Sequence, residues 1–306
     1  MPSFESPALY IDFARLPPPK VIEEINFEEL LQRYRSDVVS KNDKLAAAVL
    51  LEQSPTNVIL EAEAYGEMLV RARINAAARA VMLAFSTGSD LDNLAAFFGV
   101  ERGIVTPADP NASPPVEAVY EGDDSLRRRA QMAPEAYTTA GSEGAYIFHA
   151  LSANLSLRDA SATKMDRYGT VKVAIMNSGA DPLPTRTQID AVVERLNRKS
   201  IKPLTDVVVV TPVKVKSVDI VANVTLYPGP DSSLVMNDIQ VALTKVRDRV
   251  SLIGRDLIRS AIIAALNQEG VQNVELVSPS SDIICDHEHC ALIKSAAVNV
   301  VPIRME

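Results

Sequence analysis

One stretch constrains this chain more than any other. Over residues 57–85, Ala62, Tyr65, Leu69, Ala72, Ala76, Ala80 and Leu83 recur at steps of three or four, the spacing that puts side chains on one face of an α-helix. At 1.5 Å per residue such a helix reaches about 45 Å. Leu60, Ala64, Met68, Val81 and Phe85 widen its apolar surface beyond a coiled-coil seam, and the alanines permit close approach of another helix. Two arrangements satisfy a surface of this kind: burial within its own domain, or docking against a partner chain. In the second case Tyr65, Leu69, Ala72 and Ala76 are the candidate partner-facing residues.

The neighbouring segments are helical as well. Ile25, Phe27, Leu30, Leu31 and Tyr34 keep helical spacing, with acids early and Arg33 and Arg35 late, as the helix dipole prefers. Before them Pro17, Pro18 and Pro19 exclude a helix, so residues 1–20 are expected to run as an extended arm. Gly88 is placed to end the long helix through a left-handed residue, and Ser89 to cap a following one that stops at Gly99. Residues 105–116 carry Pro107, Pro110, Pro114 and Pro115 and read as a linker or surface loop. Two shorter helices follow, over residues 124–131 and 142–153.

From Asp159 the texture changes to strands. Residues 170–176 are β-branched and alternating, residues 186–198 are helical, and residues 206–211 form a continuous apolar strand, which together make a strand, helix, strand unit. Next, Val218, Ile220, Ala222, Val224 and Leu226 alternate with polar residues. Val213 and Val215 have the opposite parity, so a bulge or bend near Lys216 and Ser217 is expected to keep both sets inward. Helices over 232–250 and 256–267 and strands over 273–277 and 296–301 complete a second unit.

Composition narrows the function. The net charge is -8, which argues against gripping nucleic acid, because that needs a concentrated basic surface. No apolar run approaches the roughly 18 residues of a membrane-spanning helix, and the start of the chain lacks a basic, then apolar, signal pattern, so folding in a cytoplasm is expected. With 15 aromatic residues, none of them Trp, the chain is short of stacking platforms for sugars or single strands. Gly-x-Gly never occurs, which removes the usual phosphate-cradling fingerprints, and neither Gly-x-Ser-x-Gly nor His-Glu-x-x-His is present.

One compact cluster could carry chemistry. Cys285, His287, His289 and Cys290 fall within six residues and are candidate zinc ligands. On an extended chain the first three share a face while Cys290 points away, so a tetrahedral site needs a tight turn. The competing arrangement is a polar tip of a hairpin, near residues 283–293, between two apolar runs. His149, in an apolar helical stretch, is expected to be structural, and Arg127, Arg128 and Arg129 to form a solvated or salt-bridged face, since successive helical residues point about 100° apart. Glu67 and Arg71 have the favourable i, i+4 spacing of an exposed ion pair.

Three runs carry a resemblance. TGSDLDNLAAFFGVER at 87–102, DSLRRRAQMAPE at 124–135 and AGSEGAYIFHALSA at 140–153 resemble the baseplate assembly protein J family of contractile phage tails, and the likeness continues through PLTD at 203–206 and residues 256–271. The resemblance implies a non-enzymatic wedge component of the baseplate of a contractile phage or a phage-tail-like bacteriocin. It further implies pairing with a second copy of itself and with one copy of a second wedge protein through a bundle of N-terminal helices. C-terminal domains would then meet neighbouring wedges to close a ring around the central spike or hub, close to the sheath-initiating wedge protein. Assembly is expected in the cytoplasm of a host bacterium. No cofactor and no catalytic residue follow from the family, and no nucleic acid or membrane insertion is expected.

The expected fold is α+β. Its expected parts are an arm (1–20), a helical region (21–105), a linker with short helices (106–157), and two small mixed α/β modules (158–212 and 213–306). The readings that compete with a wedge subunit are a metal-binding enzyme using the cluster at 285–290 and a scaffold protein unrelated to viruses.

Overall fold

A computed structural model describes residues 16–17, 19–138, 141–165, 169–179, 181–229 and 231–301. Most of the expected arm therefore lies outside the described residues. The described chain divides into two compact units, one up to Glu101 and one from Arg102 onward.

The first unit is helical. It contains α1 (Phe27–Lys41), a short 3-10 turn, α2 (Ala46–Leu50), α3 (Pro55–Ala80) and α4 (Gly88–Phe97). Asn26 caps α1 by accepting from the Glu28 N–H, and Pro55 opens α3, where its missing N–H costs nothing. Leu30 and Leu31 of α1, Val49 of α2 and Leu60 and Ala64 of α3 form the core, flanked by Tyr34, Val38 and Met68. Asn57 is fully buried among them. Its Oδ1 accepts from Arg35 Nε (3.0 Å) and Nη2 (2.8 Å), and its Nδ2 donates to Glu61 (2.7 Å), which satisfies a buried amide that would otherwise be costly.

The long helix is shorter than its periodicity predicts. It stops at Ala80, because tighter i→i+3 bonds from Met82 to Arg79 and from Phe85 to Met82 replace the α ladder. Gly88 does not close that helix. It opens α4 with a φ of 55°, after Thr87, and Ser89 lies inside α4 rather than capping it. The other end of α4 follows expectation: Gly99, at φ 68°, donates to Ala96 while Val100 donates to Ala95, the paired bonds of a left-handed helix stop.

The second unit begins with β1 (Ile104–Thr106) and β2 (Val119–Tyr120), an antiparallel pair that closes the proline-bearing loop, with Asp109 and Val116 also bridged. The linker is thus held by a small ladder. Then come α5 (Asp123–Met132), a 3-10 turn and α6 (Glu143–Ala153), which Ser142 caps through the Ala145 N–H.

Two three-stranded sheets follow. The central module holds β3 (Leu157–Lys164), β4 (Thr170–Asn177), α7 (Arg186–Leu196) and β5 (Val207–Pro212), in sheet order β3-β4-β5, with β4 and β5 parallel. Tyr146, Ile147, Ala150 and Leu151 of α6 and Val192 and Leu196 of α7 cover its inner face. A capping box at Thr185 and Gln188 starts α7, and Gln188 also reaches the Asn177 side chain at the end of β4 (2.9 Å), tying helix to strand. The C-terminal module holds β6 (Lys214–Leu226), α8 (Ser232–Val250), α9 (Arg259–Leu266), β7 (Val271–Ser278) and β8 (His289–Val301), in sheet order β7-β6-β8 with β6 and β8 parallel. Val235, Ile239, Leu243, Val246 and Val250 form the stripe by which α8 packs on Val218, Ile220, Ala222 and Val224.

The change of parity on β6 serves a different end from the one predicted. Lys216 and Ser217 are both exposed, and the residues on either side face separate cores. Val218 onward joins the C-terminal core, whereas Val213 and Val215 pack with Met176, Cys290 and Ile253 between the two modules. The ladder irregularity falls slightly later, at Val218 and Asp219 against β8, where Lys294 is the extra residue.

Truncating Ile239, which is fully buried at the centre of α8, should cost about 2 to 5 kcal/mol. Chemical denaturation of Ile239→Ala reads this directly. A shift well under 1 kcal/mol would contradict the packing of α8 on β6.

Candidate partner interface

The surface of α3 is divided by its neighbour. On the side facing α1, Glu67 accepts from the Tyr34 hydroxyl (2.6 Å), from Arg33, and from Arg71 Nε (2.8 Å). Arg71 also reaches Glu23 (2.7 Å), and Asn75 exchanges hydrogen bonds with the Glu23 backbone at 3.1 and 2.8 Å. Residues leading into α1 are therefore laced to the C-terminal half of α3. The three donors hold the Glu67 carboxyl at about 2, the Tyr34 hydroxyl contributing most.

Among the described residues, a second apolar face of α3 has no cover within this unit. Tyr65 and Leu69, two of the candidate residues, are 53% and 51% exposed, and Ala72 and Ala76 are exposed beside them. Val58, two turns before Tyr65, extends the same bare stripe, while Val70 and Ile74 are exposed on another side of the helix. Spacings of four, three and four align Tyr65, Leu69, Ala72 and Ala76 along one stripe. Contiguous exposed apolar surface of this kind marks an interaction site more often than scattered single residues do.

The cluster at 285–290 has another geometry. It is not a hairpin tip: Ile283 bridges Leu257, residues 286–288 turn, and β8 then runs beside β6. The apolar run after the turn pairs in parallel with β6. Cys285 is buried in the C-terminal core and Cys290 in the cluster between modules, both as free thiols. Asp286 accepts a hydrogen bond from His289 Nδ1 at 2.6 Å, the His287 carbonyl accepts from Ser161, and Glu288 sits between Lys172 (2.6 Å) and Lys214 (2.8 Å). The candidate ligands are thus dispersed, and among the described residues no three His, Cys, Asp or Glu side chains gather as a metal site. Burial pushes the Cys285 thiol up to about 11 and raises that of Cys290.

Other singled-out residues are structural. His149 is half-buried, and burial, with a smaller contribution from Arg195, pushes it down to about 4, so it is neutral near pH 7. The three arginines diverge as the helix requires: Arg127 pairs with Asp124 (2.7 Å), Arg128 with buried Asp159, and Arg129 with buried Glu121. They are more deeply covered than a solvated face would be. Sequence reasoning missed Asn57, Asp159 and Glu121, since a polar residue that will be buried looks the same in sequence as one that stays wet.

Two outcomes follow. The Glu67 carboxyl is depressed, so its contribution to the helical unit is complete above its ordinary value near 4.5 and is lost as pH falls toward 2. Melting curves from pH 5 to 2 should therefore show an acid-dependent loss that Glu67→Gln lacks; equal slopes would contradict the network. Both thiols should resist a disulfide-exchange reagent in the native state and react on unfolding. Rapid native labelling of either would place it outside the core.

Residues 52–109 match the Baseplate J-like N-terminal domain, residues 138–212 the Baseplate J-like central domain, and residues 218–297 the Baseplate J-like protein C-terminal domain. Baseplate protein J of Escherichia phage P2 is 36% identical over 279 residues, covering 90% of this chain and 92% of that protein. The chain belongs to the Baseplate J-like family.

Proposed function

We propose that this chain is a structural wedge subunit of a contractile-tail baseplate, pairing with a second copy of itself and with one copy of a second wedge protein. The observation that carries the baseplate role is the 36% identity to phage P2 baseplate protein J, which extends over nearly the full length of both chains. The role is structural rather than catalytic. Support for pairing comes from α3, whose stripe of Tyr65, Leu69, Ala72 and Ala76 lies bare beside a face already filled by α1. Alanines at the C-terminal end of the stripe let a second helix approach closely, and Tyr65 and Leu69 supply area to bury.

In this reading the N-terminal helices bundle with partner helices, while the C-terminal half meets neighbouring wedges and closes the ring around the central spike or hub. The sheath-initiating wedge protein is a further neighbour. Assembly takes place in the host bacterial cytoplasm, and the mature location is the baseplate of the tail. Among the described residues no helix is long and apolar enough to cross a membrane.

Replacing Leu69 and Ala76 together by Asp puts two charges on the stripe, and desolvating them against a partner costs several kcal/mol. The double variant should fail to co-purify with proteins encoded beside this chain, with its circular dichroism unchanged. Retained assembly would remove α3 as the interface. Global unfolding would show that the stripe is internal core.

A further inference from the structure

The contact between the central and C-terminal modules supports an inference independent of the baseplate reading. The chain passes from β5 to β6 through Val213 alone, and the N–H of that residue donates to the Ile175 carbonyl of β4 at 3.0 Å. Apolar burial at the crossing is slight. Met176, Val213 and Cys290 are buried there, with Val215 and Ile253 partly covered. Modules joined by so small an apolar contact move relative to one another by default.

Directional polar contacts oppose that motion here. Asp159 on β3 is only 5% exposed; its Oδ1 accepts from Arg128 of α5 and from the Ala160 N–H, and its Oδ2 accepts from the Ile253 N–H beyond α8 at 2.9 Å. Glu288 takes Lys172 of β4 on one carboxylate oxygen (2.6 Å) and Lys214 of β6 on the other (2.8 Å). Ser161 of β3 donates to the His287 carbonyl. These ties start from neighbouring strands of one sheet and from its junction at Val213, so they are not collinear. Two bodies tied along a single line hinge about it, whereas ties spread over a surface fix every rotation. A covered carboxylate such as Asp159 also penalises any small excursion that withdraws a donor without admitting water.

We propose that Asp159 and Glu288 clamp the central and C-terminal modules into one rigid body, so that a force applied to either is transmitted to the other. The residues that looked like a metal cluster in sequence supply the docking loop of this clamp.

The test uses the full chain with nitroxide labels at Glu194→Cys, a position 78% exposed on α7, and Gln240→Cys, exposed on α8. The native thiols, 5% and 1% exposed, stay unlabelled. Double electron–electron resonance should give one narrow distance in the parent, and that single distance should be lost when Asp159→Asn and Glu288→Gln are combined. A broad distribution in the parent, or a parent-like width in the folded double variant, overturns the proposal. If the double variant loses its circular dichroism, Glu288→Gln alone is measured: broadening supports the clamp, and a parent-like width overturns it.

Discussion

One-sided cover governs the N-terminal unit. Contacts from α1 and the residues leading into it run along α3 from Asn57 to Asn75, almost the whole of its 26 residues. Along that length α1 can bury only one side of it. The core of Leu30, Leu31, Val49, Leu60 and Ala64 forms on that side, and Glu67, Arg71 and Asn75 finish the contact with polar ties. What is left, among the described residues, is an apolar stripe open to solvent. That stripe is the surface through which the proposed pairing would act.

The C-terminal half is organised by sharing rather than by shortage. Strands β5 and β6 are one extended run interrupted at Val213, and residues on the two sides of Lys216 and Ser217 face different cores. Each module has its own helices on one face of its own sheet, so each satisfies its apolar demand without the other. Their contact is free to be polar and directional, and it is. The same separation explains why nothing catalytic is needed to account for the buried acids Asp159 and Glu121: both are matched by arginines of α5.

Much of this fold was legible in the sequence, and the failures have physical causes. The helix predicted over 232–250 is α8 residue for residue, because its apolar stripe is regular and Asp231 caps it through the Ser233 N–H. The alternation of β6 was equally plain. The turn at 285–290 was not, because the pairing that decides it is parallel and joins β8 to a strand some 75 residues earlier, while a hairpin is the cheaper guess from local pattern alone. The early stop of α3 escaped for a related reason: apolar spacing runs on through Leu83 and Phe85, and periodicity does not record where a chain turns. At the candidate interface the residues of the stripe could be named from sequence, but its bareness could not, since a buried and an unpartnered apolar face share one pattern. Burial of Asn57 had no signal at all.

The central claim is that the chain builds a wedge by pairing through its N-terminal helices. Light scattering across size-exclusion peaks tests it most directly, comparing the chain alone with the chain co-expressed with the proteins encoded next to it. The account predicts a complex that holds two copies of this chain and one of a different subunit. A stable monomer that ignores its neighbours would contradict it.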